Sequence, residues 1–595
     1  MLSKQILGCL FGAMFTMTSL PTHLLANPIA EKNNRHHSSS SSSSSSSVSY
    51  ESIGSSSSSC SKKKKHHSSY KSNEFDYIIV GNGTAGAVLA RKLTNNKKNR
   101  VLVLEAGPNL SKDPQVLNPV VFTNLYDLTF NPKFVETYPN PLPFSAGLLQ
   151  TVTYSEARMW GGGSAHNYLL AVHGTPDLYN SWAAVSGNPR WTYNNLLPTI
   201  RAVETYTPNG TVANPIERGS HGPIFVTQRA PINTSPLAIA MSSVTNAPQV
   251  TDYNDPTLGN TGVSSYQEFI TPPPNSQRSF SISGYLPDSV VTPEGKGLHG
   301  RRLRISSDTT VNRILFKDKR AIGVECVLNG TVEKVKRAYA KKKVIVCAGG
   351  IHTPSLLQRS GIGDATLLNS LDIPVVVNNP NVGANLSNQY GAVTVLGGTE
   401  PENIQVMMDG STSSGPSYYP NDGVRRIQYL TNPGVGGILG YGFITTPQSR
   451  GFVSIVSKNP FIHPKVDLNM YSDGPVNVPG TDAYTIVSYL KILQAIATAE
   501  GESVFLPTPD DYTNDDTLLA FAMGTPNIII TSHITGTCRM ATSAADGVVD
   551  GNLNVFGVDD LMVVDLSVAP VQPDGNTCYP VYVIANEAAH ILGVH

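Results

Sequence analysis

The chain has 595 residues, which is long enough for one large two-lobed domain or several smaller ones. Lysine plus arginine and aspartate plus glutamate both number 43, so bulk charge gives no reason to expect nucleic acid or a membrane surface as a partner. A charged fraction of 14% with 51 glycines and 42 prolines predicts many turns, and six cysteines without C-x-x-C spacing argue against a disulfide scaffold and against a metal site of the zinc type.

The first 26 residues have the features of a secretory signal peptide. Lys4 gives a short basic start, residues 6–20 are mostly apolar, and Leu24, Leu25 and Ala26 fit the residues before a cleavage site. The apolar part is short and contains threonine and serine, which argues against a stable membrane span. We therefore expect an exported protein that is not integral to a membrane. The alternative is an unstructured hydrophobic start.

Residues 27–74 are of low complexity. They contain serine runs at 38–47 and 55–59 and a lysine run at 62–65. Such a segment cannot bury enough apolar area to offset the entropy that is lost on ordering. We interpret it as a disordered tether. The alternative is that its lysines contact polyanions or act as a sorting signal.

A dinucleotide-binding unit is expected to open the fold at Phe75. Residues 77–80 are a short apolar run that is typical of a buried strand. The sequence G-N-G-T-A-G follows at 81–86, and then come a helical stretch to Leu93, a second apolar run at 101–104 and Glu105. A lone G-x-G-x-x-G is weak, but this order of elements predicts a dinucleotide site. The alternative is a glycine-rich turn in an unrelated α/β unit.

Each part of this unit has a physical purpose. Gly81 lets the chain turn off the strand, Gly83 lets a pyrophosphate approach the backbone, and Gly86 lets the helix pack closely on the strand. The helix N-terminus offers free N–H groups and a partial positive charge to the phosphates. Glu105, nineteen residues after Gly86, is placed to accept hydrogen bonds from a ribose hydroxyl.

The rest of the chain alternates turns and short elements. A proline-rich, loop-like passage to Tyr154 precedes the run R-M-W-G-G-G-S-A-H-N at 158–167, which is typical of a tight turn that offers N–H groups. Short antiparallel strands are predicted around 304–305, 310–311 and 320–325. A buried strand is predicted at 343–347, and helices are predicted at 353–360 and 483–499.

Several segments, in order, resemble the signatures of the glucose–methanol–choline (GMC) family of FAD oxidoreductases. Beyond the dinucleotide unit these are residues 160–167, 349–363, 533–540, 563–570 and 576–580. The resemblance runs from Phe75 to the C-terminus. By composition alone, the serine-rich leader also resembles giant-virus members of the family that are found in virions.

The resemblance implies a mixed α/β fold (α+β overall), with a doubly wound FAD-binding domain and an inserted antiparallel-sheet substrate domain. The expected limits are 1–26 for the signal peptide, 27–74 for the disordered segment, 75–215, 301–391 and 532–595 for the three parts of the FAD-binding domain, and 216–300 and 392–531 for the two parts of the substrate domain.

Two catalytic residues follow from the resemblance. His533 stands where the family has its catalytic histidine, and a near-neutral imidazole can take the hydroxyl proton as hydride leaves the alcohol carbon. An isolated histidine would more often be a satisfied core residue. Asn576 stands at the family's second catalytic position, where its amide could bond the substrate oxygen. The alternative for Asn576 is a turn residue after Asp574 and Gly575.

This chain departs from the commonest family pattern at several positions. His166 stands where an aliphatic residue is usual, and in some relatives a histidine in this context bonds covalently to the flavin ring. The resemblance therefore implies covalent FAD through His166, with an unmodified histidine beside the flavin as the alternative. His173 replaces the usual Arg, and Asn388 and Gln389 replace the usual Asp-His pair.

The implied cofactor is FAD. The residues implied to contact it are Gly81, Gly83, Thr84, Ala85, Gly86, Glu105, Ala106, Trp160, Gly162, Ser164, His166, Asn167, Val311, Asp565 and Asn576.

The implied activity is FAD-dependent oxidation of a primary alcohol, with O2 as electron acceptor and H2O2 as product. Dehydrogenase relatives with similar motifs use other acceptors. Two further readings stay open: a lyase on the same fold, and a structural flavoprotein of a virion with little turnover. The expected partners are a small-molecule alcohol, O2 and, for the structural reading, a virion or homo-oligomeric assembly; the expected location is secreted or virion-associated.

Overall fold

The structure, a computed structural model, describes residues 73–118, 128, 131–141, 151–209, 217–232, 234–258, 262–328, 334–398, 404–409, 426–434, 437–525 and 527–594. The expected signal peptide and nearly all of the serine-rich segment lie outside the described residues.

The strands, in chain order, are β1 Glu74–Val80, β2 Arg100–Leu104, β3 Val135–Pro141, β4 Thr151–Ala157, β5 Glu204–Thr207, β6 Ile224–Gln228, β7 Gly262–Ser265, β8 Gln267–Glu268, β9 Arg302–Ser306, β10 Thr309–Lys317, β11 Arg320–Leu328, β12 Val335–Val346, β13 Ile362–Gly363, β14 Val377–Asn378, β15 Tyr390–Leu396, β16 Ile404–Asp409, β17 Arg426–Gly434, β18 Gly437–Ile444, β19 Phe452–Ser454, β20 Lys465–Asp467, β21 Val504–Leu506, β22 Ile528–Ile530 and β23 Leu561–Val563.

The α-helices are α1 Thr84–Asn95, α2 Pro114–Leu117, α3 Gly163–His166, α4 Pro176–Ser186, α5 Tyr193–Val203, α6 Pro236–Thr245, α7 Ser281–Tyr285, α8 Gly349–Arg359, α9 Ala365–Ser370, α10 Asp482–Glu500, α11 Asp515–Met523 and α12 Cys578–Ile591. Short 3-10 turns lie at Pro189–Trp191, Pro256–Leu258, Asp511–Thr513 and Leu566–Val568.

The first sheet is parallel at its centre. β1 pairs with β2 on one side and β12 on the other, β2 pairs with β9, and β12 pairs with β23, all in parallel. The first half of β12 also pairs antiparallel with β11, which continues to β10. Helix α12 packs on α1, and its residues 579–589 are buried. This mixed sheet with packed helices is the FAD-binding type of fold that was predicted.

A second sheet is antiparallel and is formed by β7 together with strands between residues 390 and 530. Its strands follow the order β21-β15-β18-β17-β16-β7, and β22 also pairs with β15. Helices α6 and α10 pack against each other, and both contact this sheet. Thr481 caps α10 by accepting a hydrogen bond from Tyr484 N, and Gly501 ends the helix with φ of 81°. The antiparallel sheet was also predicted, while the residue limits of the two domains stay predictions.

Some local expectations were wrong. The passage before Tyr154 is not loop throughout, since β3 and β4 form an antiparallel hairpin. The segment at 304–305 belongs to β9, which pairs in parallel with β2, and its antiparallel pairing is an isolated bridge between Arg304 and Lys296. Helix α8 begins at Gly349, four residues before the predicted start. Each error concerns pairing or capping by distant residues, which local periodicity does not report.

Among the described residues, no helix combines the length and the apolar character needed to cross a bilayer.

Candidate active site

The first glycine turn joins β1 to α1 and has no room for a side chain at Gly81 or Gly86. Gly81 has φ of 98°, and a Cβ added there would lie 2.3 Å from the carbonyl oxygen of Cys347. A Cβ at Gly86 would lie 2.0 Å from the carbonyl oxygen of Gly81. Both positions therefore require glycine, because the turn closes against β12 and against the start of its own helix.

A second glycine turn crosses the first. Gly162 has φ of 49°, and a Cβ added there would lie 2.8 Å from the Cα of Gly83. Gly161 N donates to Asn82 O at 2.9 Å, which links the two turns. The crossing brings residues 160–167 to the N-terminus of α1, as a shared cofactor site requires. This set comprises Trp160, Gly162, Ser164, His166 and Asn167 of the residues predicted to contact the cofactor.

Glu105 lies at the end of β2 beside the first turn. Its carboxylate accepts hydrogen bonds from Asn82 N at 2.7 Å and Gly107 N at 2.8 Å. Burial raises the pKa of Glu105 to about 6, against the lowering effects of those two N–H groups and of Arg158 and His352. The carboxylate is thus fixed by backbone N–H groups at the position where the sequence predicts a ribose contact.

Other predicted cofactor residues surround this corner. Thr84 and Ala85 are the first two residues of α1. Trp160 is buried and donates its indole N–H to Ser307 Oγ at 2.9 Å. Ala106 O accepts a hydrogen bond from the side chain of Arg158. Val311 lies buried on β10, whose first residue donates its N–H to Glu105 O.

Asp565 lies just after β23, and its side chain contacts the first turn of α8. Its carboxylate accepts hydrogen bonds from Gly349 N at 2.9 Å and from the hydroxyl of Thr353 at 2.5 Å. The N–H and hydroxyl of Ser567 donate to its other oxygen. Burial raises the pKa of Asp565. These bonds fix the α8 turn, and the predicted cofactor contact of Asp565 stays a prediction.

Unsatisfied buried polar atoms mark the glycine-turn corner. The side-chain amide of Asn82 is buried, and neither Oδ1 nor Nδ2 has a hydrogen-bond partner among the described residues. Nη2 of the buried Arg278 also has no hydrogen-bond partner among the described residues. Buried polar groups are nearly always hydrogen-bonded, so these atoms fit a polar ligand such as FAD beside them.

Arg278 is a site residue that the sequence analysis missed. Its Nη1 donates to Asn167 Oδ1 at 2.6 Å and to Asn167 O at 2.8 Å, and its Nε donates to Val116 O at 3.0 Å. Burial lowers the pKa of Arg278 to about 9, because these partners are neutral. A buried guanidinium held by neutral oxygens fits an anionic cofactor. No local motif around residue 278 marks it.

His533 is half-buried and contacts Asn388 and Gln389, the two residues that precede β15. Its Nδ1 lies 2.6 Å from Gln389 Oε1, and its backbone N donates to Asn388 Oδ1 at 3.0 Å. Burial of the ring and, to a smaller extent, the nearby His166 together lower the pKa of His533 to about 3. The imidazole is therefore neutral at physiological pH and can accept a proton.

Asn576 is brought to the same place by Gln389. The Gln389 side-chain nitrogen donates to Gly575 O at 3.0 Å and to Pro573 O at 2.8 Å, so one side chain links the His533 ring to the turn that carries Asn576. The Asn576 amide also contacts Gln428 of β17, with 2.9 Å between Gln428 Nε2 and Asn576 Oδ1. Gln428, another residue missed by sequence reasoning, connects the substrate-domain sheet to this site.

His166 lies at the end of α3 and is buried. Its Nδ1 lies 3.3 Å from Gly163 O, and burial followed by the charge of Arg278 lowers its pKa to about 4. His166 acts electrostatically on His533, so the two histidines predicted to work at the flavin lie near each other.

His173, the residue that replaces the usual Arg, belongs to a separate buried network. Its Nε2 lies 3.1 Å from Glu204 Oε2, and Arg218 bonds both Glu204 and Asp252. This network lies next to helix α12, since the His173 ring packs against the Tyr579 ring at a centroid distance of 4.1 Å and an angle of 48°. It is a structural cluster beside the site.

Comparison with known proteins gives matches over most of the chain. Two family models, both described as GMC oxidoreductase, match residues 75–391 and 447–585. An oxygen-dependent choline dehydrogenase of Cronobacter sakazakii is 30% identical over 84% of this chain and 92% of its own length. A pyranose dehydrogenase of Agaricus campestris is 27% identical over 87% and 93%.

Solved structures agree with these matches. An FAD-dependent oxidoreductase from Chaetomium thermophilum superposes with a TM-score of 0.73 at 26% identity, covering 87% of this chain and 99% of that one.

Proposed function

This chain belongs to the GMC oxidoreductase family and is an FAD-dependent oxidoreductase of CH–OH groups, and from that premise we propose that His533 is its catalytic base. The observation that carries the proposal is the half-buried, neutral His533 imidazole, which Gln389 joins to the turn of Asn576. A neutral imidazole can take the proton of the substrate hydroxyl and release it later.

Bound FAD would supply the acceptor for the hydride that leaves the alcohol carbon. The protein residues that would hold it are those of the two crossed glycine turns, Glu105, Asn82 and Arg278. The helix α1 N-terminus and Arg278 offer positive charge to its phosphates or to its ring.

The substrate alcohol is positioned by Asn576 in this proposal. Its amide is held by Gln428 on one side and can bond the substrate oxygen on the other. His533 then removes the hydroxyl proton while Asn576 keeps the oxygen in place.

For the electron acceptor we propose O2, with H2O2 as the product. The similarity to an oxygen-dependent choline dehydrogenase supports this choice. The match to a pyranose dehydrogenase keeps a different acceptor as the second candidate. Peroxide formed per alcohol oxidised in air distinguishes the two, since a dehydrogenase gives far less than one equivalent.

Covalent attachment of FAD through His166 is a separate proposal. The buried His166 ring is neutral because its pKa is lowered, so one ring nitrogen is free of a proton and can form a bond to carbon. The carbon would lose a proton in exchange, and the electron pair of the broken C–H bond would pass to the flavin and from there to the proposed acceptor O2. Acid precipitation of the purified protein should leave the yellow colour in the pellet. A His166→Asn variant should release it, and release from the wild type would contradict the proposal.

The test of the proposed base is anaerobic. The full chain loaded with FAD is mixed with aliphatic, aromatic and sugar alcohols, and bleaching of the flavin absorbance identifies substrates. His533→Ala should lower the rate of bleaching at least about a hundredfold. A rate within a few-fold of wild type would show that another group is the base. If no alcohol bleaches the wild type, the result supports the alternative hypotheses, a lyase on the same fold or a structural flavoprotein.

From the sequence of residues 1–74 we also propose that the protein is secreted or incorporated into a virion. Detection of the chain in culture medium or in purified particles by mass spectrometry would support it, and retention inside producing cells would contradict it.

A further inference from the structure

We propose that Gln389 is a positioning residue that holds His533 in the tautomer with the proton on Nδ1, so that the lone pair of Nε2 is the one that receives the substrate proton. The inference deepens the proposed function and rests on it, because it concerns His533 as the base.

The orientation of the Gln389 amide is fixed by its surroundings. Its nitrogen lies within hydrogen-bond distance of three backbone carbonyl oxygens: 3.0 Å from Thr445 O, 2.8 Å from Pro573 O and 3.0 Å from Gly575 O. Carbonyl oxygens only accept hydrogen bonds. A reversed amide would place its own oxygen against all three in a fully buried position. The oxygen of Gln389 therefore faces His533.

The polarity of Gln389 then decides the tautomer of His533. An amide oxygen cannot donate, so the 2.6 Å contact requires a proton on Nδ1 of the ring. A neutral imidazole carries one N–H, and burial keeps this ring neutral. Nε2 is consequently unprotonated. The opposite tautomer would set two acceptors against each other in a buried site, which is unfavourable.

The backbone of His533 is held independently of its ring. Its N–H donates to Asn388 Oδ1 at 3.0 Å, and its carbonyl accepts from Gln572 Nε2 at 3.1 Å. The remaining freedom is rotation and tautomerism of the ring, and Gln389 restricts both. Gln572 is therefore a matched control, because it is a second buried glutamine that bonds the same residue but not the ring.

The replacement of the usual Asp-His pair by Asn388 and Gln389 gains a physical meaning here. A histidine at position 389 could donate or accept and could itself become charged, whereas an amide has one polarity at every pH. His166 is a titratable group that acts on the His533 ring, and it disfavours the charged form of that ring. This chain thus fixes the direction of the hydrogen bond without adding a second titrating group.

The first measurement is the tautomer itself. Full-length, FAD-loaded protein labelled with ring-15N histidine is studied by NMR, and His533→Asn identifies the signal of residue 533. Wild type should show a protonated Nδ1 and an unprotonated Nε2. Gln389→Met, which keeps an unbranched side chain of similar length, should give a substantial population with the proton on Nε2. Gln572→Met should leave the tautomer as in the wild type.

The second measurement is anaerobic flavin reduction with the best substrate. Gln389→Met should lower the rate about ten- to a hundredfold, a part of what general base catalysis contributes. Gln389→Glu should keep the Nδ1–H tautomer and recover much of the rate if its buried carboxyl is protonated, because the hydroxyl then donates to one of the three carbonyl oxygens and the other oxygen accepts from the ring. The Glu variant also provides the test if the Met variant does not fold.

The outcomes separate this inference from the proposed function. If His533→Ala is severely impaired but Gln389→Met keeps both the wild-type tautomer and a rate within twofold of wild type, Gln389 does not position the base and the proposed function survives. Loss of the Nδ1–H signal in a folded Gln389→Glu protein would equally refute the inference. If His533→Ala itself remains active, the proposed base is wrong whatever the tautomer.

Discussion

The buried cation Arg278 gives the sharpest prediction about cofactor binding. Burial lowers its pKa to about 9, well below the ordinary value of a guanidinium, so holding the charge among neutral partners is costly. Its bonds to Asn167 and Val116 offset part of this cost. An anionic ligand would supply the missing opposite charge.

The perturbation is Arg278→Met, which removes the charge and keeps an unbranched side chain. Without FAD, the variant loses hydrogen bonds but also the buried charge, so we expect its unfolding free energy to change by less than about 2 kcal/mol. With FAD, the loss of a charge-assisted bond of about 1.5–3 kcal/mol should weaken binding about ten- to a hundredfold.

The assay is titration of FAD into the apo-protein, followed by flavin fluorescence and by the thermal shift with and without FAD. A His166→Asn background prevents covalent attachment from obscuring the equilibrium. Arg201→Met, at an exposed position on α5, makes the same change in net charge away from the site. FAD affinity within threefold of the parent would refute the reasoning, as would equal losses in the Arg201 control.

Three further predictions follow from the same structure. Because burial lowers the pKa of His533 to about 3, kcat/KM for alcohol should show no limb from His533 between pH 5 and 9, and a limb near pH 6.5 that His533→Gln abolishes would contradict this. Arg218→Met leaves Glu204 and Asp252 buried without their cation, so urea unfolding should show a loss of about 3–5 kcal/mol, and a loss below about 1 kcal/mol would contradict the ion-pair reading. Burial raises the pKa of Glu156 from 4.5 to about 7, so the folded state keeps a proton that the unfolded state has lost, and this contribution to stability falls as pH rises from about 4.5 to 7. Glu156→Gln should therefore gain up to about 3 kcal/mol relative to wild type across that window, and a difference independent of pH would contradict it.

The sequence by itself determined the parts of this protein that are built from neighbours in the chain. The β1 strand, the glycine turn, α1, β2 and Glu105 follow one another within 32 residues, so their spacing predicts both the unit and its dinucleotide chemistry. Helix α10 was likewise predicted to within a residue at each end, because its capping residues and apolar positions are local. The family resemblance predicted the two sheets.

Tertiary structure alone decided the pairing and polarity of distant groups. The β3–β4 hairpin and the parallel pairing of β9 depend on partners that periodicity does not reveal. Gln389 meets His533 across 144 positions in sequence, and Gln428 meets Asn576 across 148. Arg278 has no local signature because its meaning comes from burial among neutral oxygens. The sequence specifies the chemical type of each side chain. Its protonation state, and whether it donates or accepts a hydrogen bond, depend on the atoms that folding places around it.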